Sequence, residues 1–321
     1  MLSSANYGRL LEPGLRKIFM ETYKEIPEQY SQVFNVQTSN KAIETDLRMG
    51  GFGLWEKKDS AGSVQFQDPT DTQALQYIHE EFSSGFTLER KLVDDEQYGQ
   101  INKMSAALAR SARATIETKA AEVFNNAFTV NGFDGATLIS STHKRLDGGA
   151  MSNRLASTDG AGAADGALSD RNLKAALIQT RRQVDDRGIL IQVQPKILVV
   201  PPSLEYTAKT ILQSAGLSPN GNGLFTAGQT GGSALVASNT EKNVIQNSLQ
   251  VVVLDYLTSN TAWFLIDPTV AELNFFWRKR LEFSNEKSFE TMQQKYIGYC
   301  RFSCGYSDYR GIFGSKGDQP A

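Results

Sequence analysis

The chain has 321 residues, 40% of them hydrophobic and 21% charged, a globular composition that excludes wholesale disorder. Its formal net charge of −2 gives no global attraction to nucleic acid or to an anionic membrane surface. No apolar run approaches the roughly 18 residues of a transmembrane helix, and the opening MLSSANYGRL lacks a basic-then-apolar signal pattern, so a protein that stays in the cytosol where it is made is expected.

Residues 1–45 read as an arm. Leu10, Leu11, Leu15, Ile18 and Phe19 give a short amphipathic helix, punctuated by Pro13 and Pro27. Too little apolar surface follows to build a core, so the arm is expected to lie on something else. Between Asp46 and Asp71, Gly50, Gly51 and Gly53 lead into Leu54–Lys58. Asp59–Gly62 then reads as a turn and Ser63–Gln67 as a second polar strand. A two-stranded hairpin is marginal alone in water and needs a partner surface. It is therefore a candidate for packing between subunits, through Phe52, Leu54, Trp55, Lys57, Lys58, Val64 and Phe66 together with Leu11, Leu15 and Phe19 of the arm, against the alternative of a hairpin folded back on its own chain.

Gln76–Leu92 supplies one or two strands and leads into the element that organises the rest, a helix over Glu96–Phe128. Asp94 and Asp95 are candidate caps. Ile101, Met104, Leu108, Ala112, Ile116, Ala120, Val123 and Ala127 recur at helix spacing, with Lys103, Arg110, Arg113 and Lys119 off the stripe. Such a rod is roughly 50 Å long and suits a girder better than a pocket wall.

Val130–Leu155 is turn-rich, and residues 156–167 (ASTDGAGAADGA) are a Gly- and Ala-rich link. Beyond it, Ser169 or Asp170 caps a helix carrying Leu173, Ala176, Leu177 and Val184, which Gly188 can end. Lys196–Val200 reads as an apolar strand, and Leu204, Ala208, Ile211 and Leu212 as one face of another helix. A loop over residues 214–233 follows. Val251–Leu254 and Trp263–Ile266 read as a buried hairpin, and the aromatic run from Ala271 to Tyr306 as long strands. The class is α+β.

Chemistry-bearing signatures are sparse. His79 lacks the second histidine of a zinc-protease helix, the Gly231-Gly232-Ser233 loop lacks the Lys-Ser/Thr of a P-loop, and no G-x-S-x-G elbow occurs. Cys300 and Cys304 lie on one strand, about 13 Å apart and beyond the roughly 7 Å a disulfide spans. With only His79 and His143 to join them they make a poor zinc set. His143, beside Ser140 and Ser141, is the better candidate base, against the plainer reading of a hydrogen-bonded loop histidine. Lys57 and Lys58 could be crosslinking nucleophiles, against solvated loop lysines. Neither an enzyme nor a bound cofactor or metal is expected.

The order of elements resembles the major capsid proteins of tailed bacteriophages with the Hong Kong 97 type fold, nearest the Mu-type major head subunits. It runs from an arm and a polar hairpin through Tyr77…Phe86…Leu92…Asp94-Asp95…Tyr98-Gly99 to the long helix. Ser141-Thr142-His143, Gly148-Gly149…Asn153, Ile197–Pro202 and the aromatic strands complete it. The resemblance implies an N-terminal arm (1–45) and an extended loop lying over a neighbour (46–75). It implies a peripheral domain (76–167 and 268–321) with its spine helix (96–128), and an axial domain (168–267) with a loop near the capsomer centre. It implies hexamers and pentamers of one chain tiling an icosahedral or prolate shell around double-stranded DNA, in a virion assembled in a bacterial cytoplasm. Scaffolding, portal and decoration proteins are the further partners it allows, with any scaffold separate or already removed and no membrane partner. The known crosslink of the family's type member finds no matching acceptor here. Rival expectations are an encapsulin-like cellular compartment, a phage tail or adaptor protein, and a hydrolase using His143 with a nearby serine.

Overall fold

The computed structural model describes residues 4–49, 51–55, 57, 66, 71–89, 91, 98–132, 134–145, 148–156, 165–214, 216–217, 241–287 and 293–318. The expected caps Asp94 and Asp95 and almost all of the 214–233 loop lie outside them. In chain order the elements are α1 (Ser4–Glu25), β1 (Asn35–Thr38), β2 (Ile43–Met49), β3 (Asp71–Ile78), β4 (Glu80–Leu88) and α2 (Tyr98–Asn125). Then come β5 (His143–Lys144), β6 (Ala150–Met151), α3 (Asp170–Arg181), β7 (Ile197–Val200), α4 (Glu205–Gln213), β8 (Gly216–Leu217) and β9 (Glu241–Lys242). The chain closes with β10 (Gln250–Val253), β11 (Trp263–Ile266), β12 (Leu273–Lys287), β13 (Gln294–Tyr306) and β14 (Ile312–Ser315). It divides into two units, one of Met1–Asp46, Gln76–Val123 and Leu273–Gly305, the other of Leu47–Leu75, Phe124–Glu272 and Tyr306–Ala321.

In the first unit the aromatic run forms the expected long strands, in a sheet ordered β1-β12-β13-β4. β1 runs parallel to β12, and β13 antiparallel to β4. Phe275, Trp277 and Phe302 stack within this sheet, with ring centroids 5.0–5.3 Å apart. Gly85 in β4 faces the backbone of β13 so closely that a Cβ would lie 2.3 Å from the Tyr296 carbonyl oxygen, so no side chain fits there. Leu15 and Phe19 of α1 pack against Ile101 and Ala109 of α2 and against Phe283 and Tyr296 of the sheet. The Phe19 and Phe283 rings stack at 4.7 Å.

The arm is more extensive than its sequence pattern. α1 continues through Pro13, which lies on its exposed side, so the lost backbone donor is one that water can replace. The long helix is about 42 Å by the standard rise. Its covered face is more polar than the expected stripe. Met104 is exposed, whereas Ser105, Ala109, Arg113 and Glu117 are buried at steps of four from Ile101. The arm is what buries them. Ser105 donates to the Leu15 carbonyl (2.9 Å), and Glu117 accepts from the backbone N–H groups of Gln29 and Tyr30 (both 3.0 Å). Arg113 donates to Glu28 Oε1 (3.0 Å) and the Tyr23 carbonyl (3.1 Å), with its guanidinium 3.8 Å from the centre of the Tyr23 ring. Buried polar groups are costly unless paired, and the arm supplies these partners, though none for Arg113 Nε.

β2 and β3 pair only with each other among the described strands. The described strands of the hairpin thus flank the Leu54–Lys58 and Ser63–Gln67 segments expected to form it, of which residues 56, 58, 63–65 and 67 lie outside the described residues. Leu54, Trp55, Lys57 and Phe66 are in no strand. Alternation of Ile43, Thr45, Leu47 and Met49 with Glu44, Asp46 and Arg48 fits strand periodicity and accounts for β2.

The second unit holds a sheet ordered β10-β7-β11-β14. β10 and β11 are thus not a hairpin: β7 lies between them, parallel to β10 and antiparallel to β11. All four residues of β7 are buried, as a central strand covered on both faces requires. α3 starts as expected, with Ser169 Oγ accepting from the Asn172 N–H (3.2 Å). α3 and α4 bury Leu173, Ala176, Ala208, Ile211 and Leu212 against Leu198, Val200, Trp263, Leu265 and Phe313. Because β14 completes this sheet, residues 306–321, and residues 124–167 with them, belong to the second unit.

Candidate functional site

Four described side chains between β2 and β3 leave large apolar surfaces in water. Phe52 is 57% exposed, Leu54 75%, Trp55 95% and Phe66 92%. Lys57 is exposed beside them. None of these four residues lies in a described strand, and transferring such surface out of water is worth about 25 cal/mol per Å². Four bulky apolar groups in one connection form the kind of uncovered surface that marks an interaction site. One anchor to the same unit is Gly51, where a Cβ would lie 3.1 Å from Asp185 Oδ2. Lys58 and Val64 fall outside the described residues.

Two of the three arm residues expected to join this surface are placed differently. Leu15 and Phe19 are 1% and 0% exposed, covered within their own subunit, and have no surface left for a neighbour. Leu11 lies in the same helix.

The chemically suggestive residues are structural nodes. His143 is buried and stacked on Tyr309, ring centroids 3.7 Å apart. Its Nδ1 is 2.5 Å from Asp134 Oδ2 and its Nε2 3.2 Å from Asn153 Oδ1. Asn153 is itself oriented, since Nδ2 donates to the Leu138 carbonyl (2.7 Å) and Oδ1 accepts from the Ser140 N–H (2.8 Å). Both ring nitrogens are thus engaged by side chains, not by the backbone carbonyls expected for a loop histidine. Ser140 Oγ turns instead to Thr142. Burial alone would raise the Asp134 carboxyl, but its bond to and attraction for His143, with the Ala136 N–H, hold it below 3.8. Asp134 therefore adds stability above pH 3.8 that is lost as the pH falls through its lower folded value. Replacing His143 by Ala strands Asp134 and Asn153 and is expected to cost about 2–4 kcal/mol in urea unfolding.

Cys300 and Cys304 are both free thiols, pushed by burial up to about 11 and about 12. Among the described residues no group of three or more His, Cys, Asp or Glu could hold a metal ion. Nor is any described helix long and apolar enough to cross a membrane.

Several solved structures share this fold. The bacteriophage JBD30 capsid aligns with a TM-score of 0.53 at 16% identity, covering 73% of this chain and 92% of that one. A structure from Microbacterium phage Oxtober96 aligns at 0.52 and 10% identity over 92% and 93% of the two chains. The virus-like particle of Pyrococcus furiosus aligns at 0.51 and 8% identity over 94% and 98%. These likenesses show a mixed helix-and-sheet fold of the Hong Kong 97 capsid type. Among curated proteins no sequence matches. A model of the family described as phage capsid protein matches residues 73–314, from β3 to β14, and this chain belongs to that family.

Proposed function

We propose that this chain is the major head subunit of a tailed phage, assembling as hexamers and pentamers into a closed shell around double-stranded DNA. The observation that carries the reading is the set of uncovered apolar side chains in the connection between β2 and β3, with Trp55 at 95% exposure. In a shell one chain contacts its neighbours through different patches, so the contacts are heterologous and a projecting connection can lie over the next subunit. Large buried area, with no ligand pocket, then holds the assembly. The near-neutral charge suits a container that must not adsorb its packed DNA tightly.

On this reading the first unit serves as the peripheral domain with α2 as its spine, and the second as the axial domain. Residues 4–25 fasten the arm to that spine. Phe52, Leu54, Trp55, Lys57 and Phe66 are the described residues assigned to the subunit interface, with Lys58 and Val64 completing the set. Assembly in a bacterial cytoplasm, the Mu-type branch, and scaffolding, portal and decoration partners belong to the same proposal. The encapsulin-like alternative shares the fold with the Pyrococcus particle, but the family match favours a phage capsid. Hydroxyl-radical footprinting of Trp55 before and after assembly tests the interface. Strong protection in particles is expected, and unchanged labelling would remove Trp55 from it.

A further inference from the structure

His79 occupies the single-residue gap between β3 and β4, at the root of the hairpin, and is only 4% exposed. Three other segments of the first unit converge on it. Ser39 follows β1, Glu44 lies in β2 and Ser303 lies in β13. Ser39 Oγ has one proton to give, and Glu44 Oε1 takes it at 2.6 Å. The hydroxyl oxygen must therefore accept from the Lys41 N–H (3.1 Å) and from His79 Nε2 (3.2 Å). That places the ring proton on Nε2 and leaves Nδ1 to accept from the Ser303 hydroxyl at 2.9 Å. One neutral tautomer satisfies every atom in the chain of bonds.

A second proton on the ring breaks this arrangement. Nδ1 becomes a donor, so the Ser303 hydroxyl has to turn and accept. The new charge sits in a buried position facing Arg301 of β13 and Arg278 of β12, with Glu44 of β2 as the opposing charge. Burial first, and then those guanidiniums, hold the ring below 6.5. Glu44 stays ionised well into acid, because the Ser39 hydroxyl and Lys41 hold its carboxyl below 4.5.

We propose that Ser39, Glu44, His79 and Ser303 form a proton-operated latch, which fastens the hairpin root to the four-stranded sheet while His79 is neutral and loosens it when the ring is protonated. β2 and β3 are hydrogen-bonded to no other described strand; the root is held to the sheet by chain continuity through His79 into β4 and by the Tyr77–Phe276 ring contact, and this side-chain chain adds the tie that a proton can change. A histidine whose folded value lies below its unfolded 6.5 contributes stability that is complete above 6.5 and is lost as the pH falls toward the folded value. The latch would regulate the hairpin assigned above to subunit contact and rests on that reading only for its consequence in a shell.

Hydrogen exchange of the free, full-length subunit tests the latch without any assembly step, so a failed shell and a failed latch give different results. Exchange is followed by mass spectrometry in peptides covering residues 43–46 and 76–78, at about pH 7.5 and about pH 5, with intrinsic rates corrected. The wild-type root is expected to exchange about tenfold faster at the lower pH. His79→Gln, which cannot titrate, is expected to abolish that dependence. Ser303→Ala is expected to raise root exchange already at the higher pH. Equal wild-type protection at both values, or an undiminished pH response in His79→Gln, would overturn the latch. Should His79→Gln fail to fold, an unaltered response in Ser303→Ala would overturn it instead.

Discussion

Deleting residues 50–68 is expected to leave a folded subunit that forms no shells. The excised stretch contains none of β2 or β3, which end at Met49 and begin again at Asp71, and none of its described residues belongs to the buried core. What it removes is Phe52, Leu54, Trp55 and Phe66, whose apolar surface lies in water in the single chain. The contact with Asp185 at Gly51 is lost too, a surface change of the kind that stays within about 0.5 kcal/mol. The urea midpoint should therefore stay close to that of the intact chain. Sedimentation should show particles replaced entirely by small species. Normal particles from the deleted chain would exclude the connection from assembly.

Phe19→Ala should do the reverse, destabilising the subunit itself by about 3–5 kcal/mol in urea unfolding. Phe19 is fully buried and stacks on Phe283, and it approaches Gly298 closely enough that a Cβ there would lie 3.6 Å from its ring. No backbone shift in the strand fills the space left by a phenyl group, so both transfer and cavity terms apply. Its loss also loosens α1 over Ser105, Arg113 and Glu117, whose partners are arm groups. Trp55→Ala, removing a larger but uncovered ring, is expected to leave the midpoint nearly unchanged. The two substitutions separate packing within the subunit from packing between subunits, and equal midpoint shifts would erase that distinction.

Local signals in the sequence were read well. Helix spacing located α2, Ser169 gave the start of α3, and the apolar run Ile197–Val200 gave β7. Non-local facts were less legible. Nothing in the run of residues from Val251 to Ile266 indicates that β7 inserts between its two strands, because strand pairing is decided by burial across the whole sheet. Arg113 reads as lying off the stripe, and Glu117 goes unmarked, because hydrophobic periodicity counts only apolar residues. Their four-residue spacing on one helix face was the available clue, and it becomes a buried pair only once the arm covers it. The same holds for Leu15 and Phe19, whose amphipathic pattern says that a face is covered but not by which chain. In the hairpin, the glycines and charges between Gly50 and Gly62 are a stronger turn signal than the alternation over Ile43–Met49 is a strand signal. The exposed aromatics Trp55 and Phe66 were nevertheless legible as surface candidates, since no neighbouring apolar pattern could cover them.

The most direct measurement is negative-stain electron microscopy, with mass determination, of the purified chain expressed alone. Closed or partial shells, or free rings of five and six subunits, are the predicted result. A monodisperse monomer at every concentration and in every buffer would contradict the assignment of this chain as a self-assembling shell subunit.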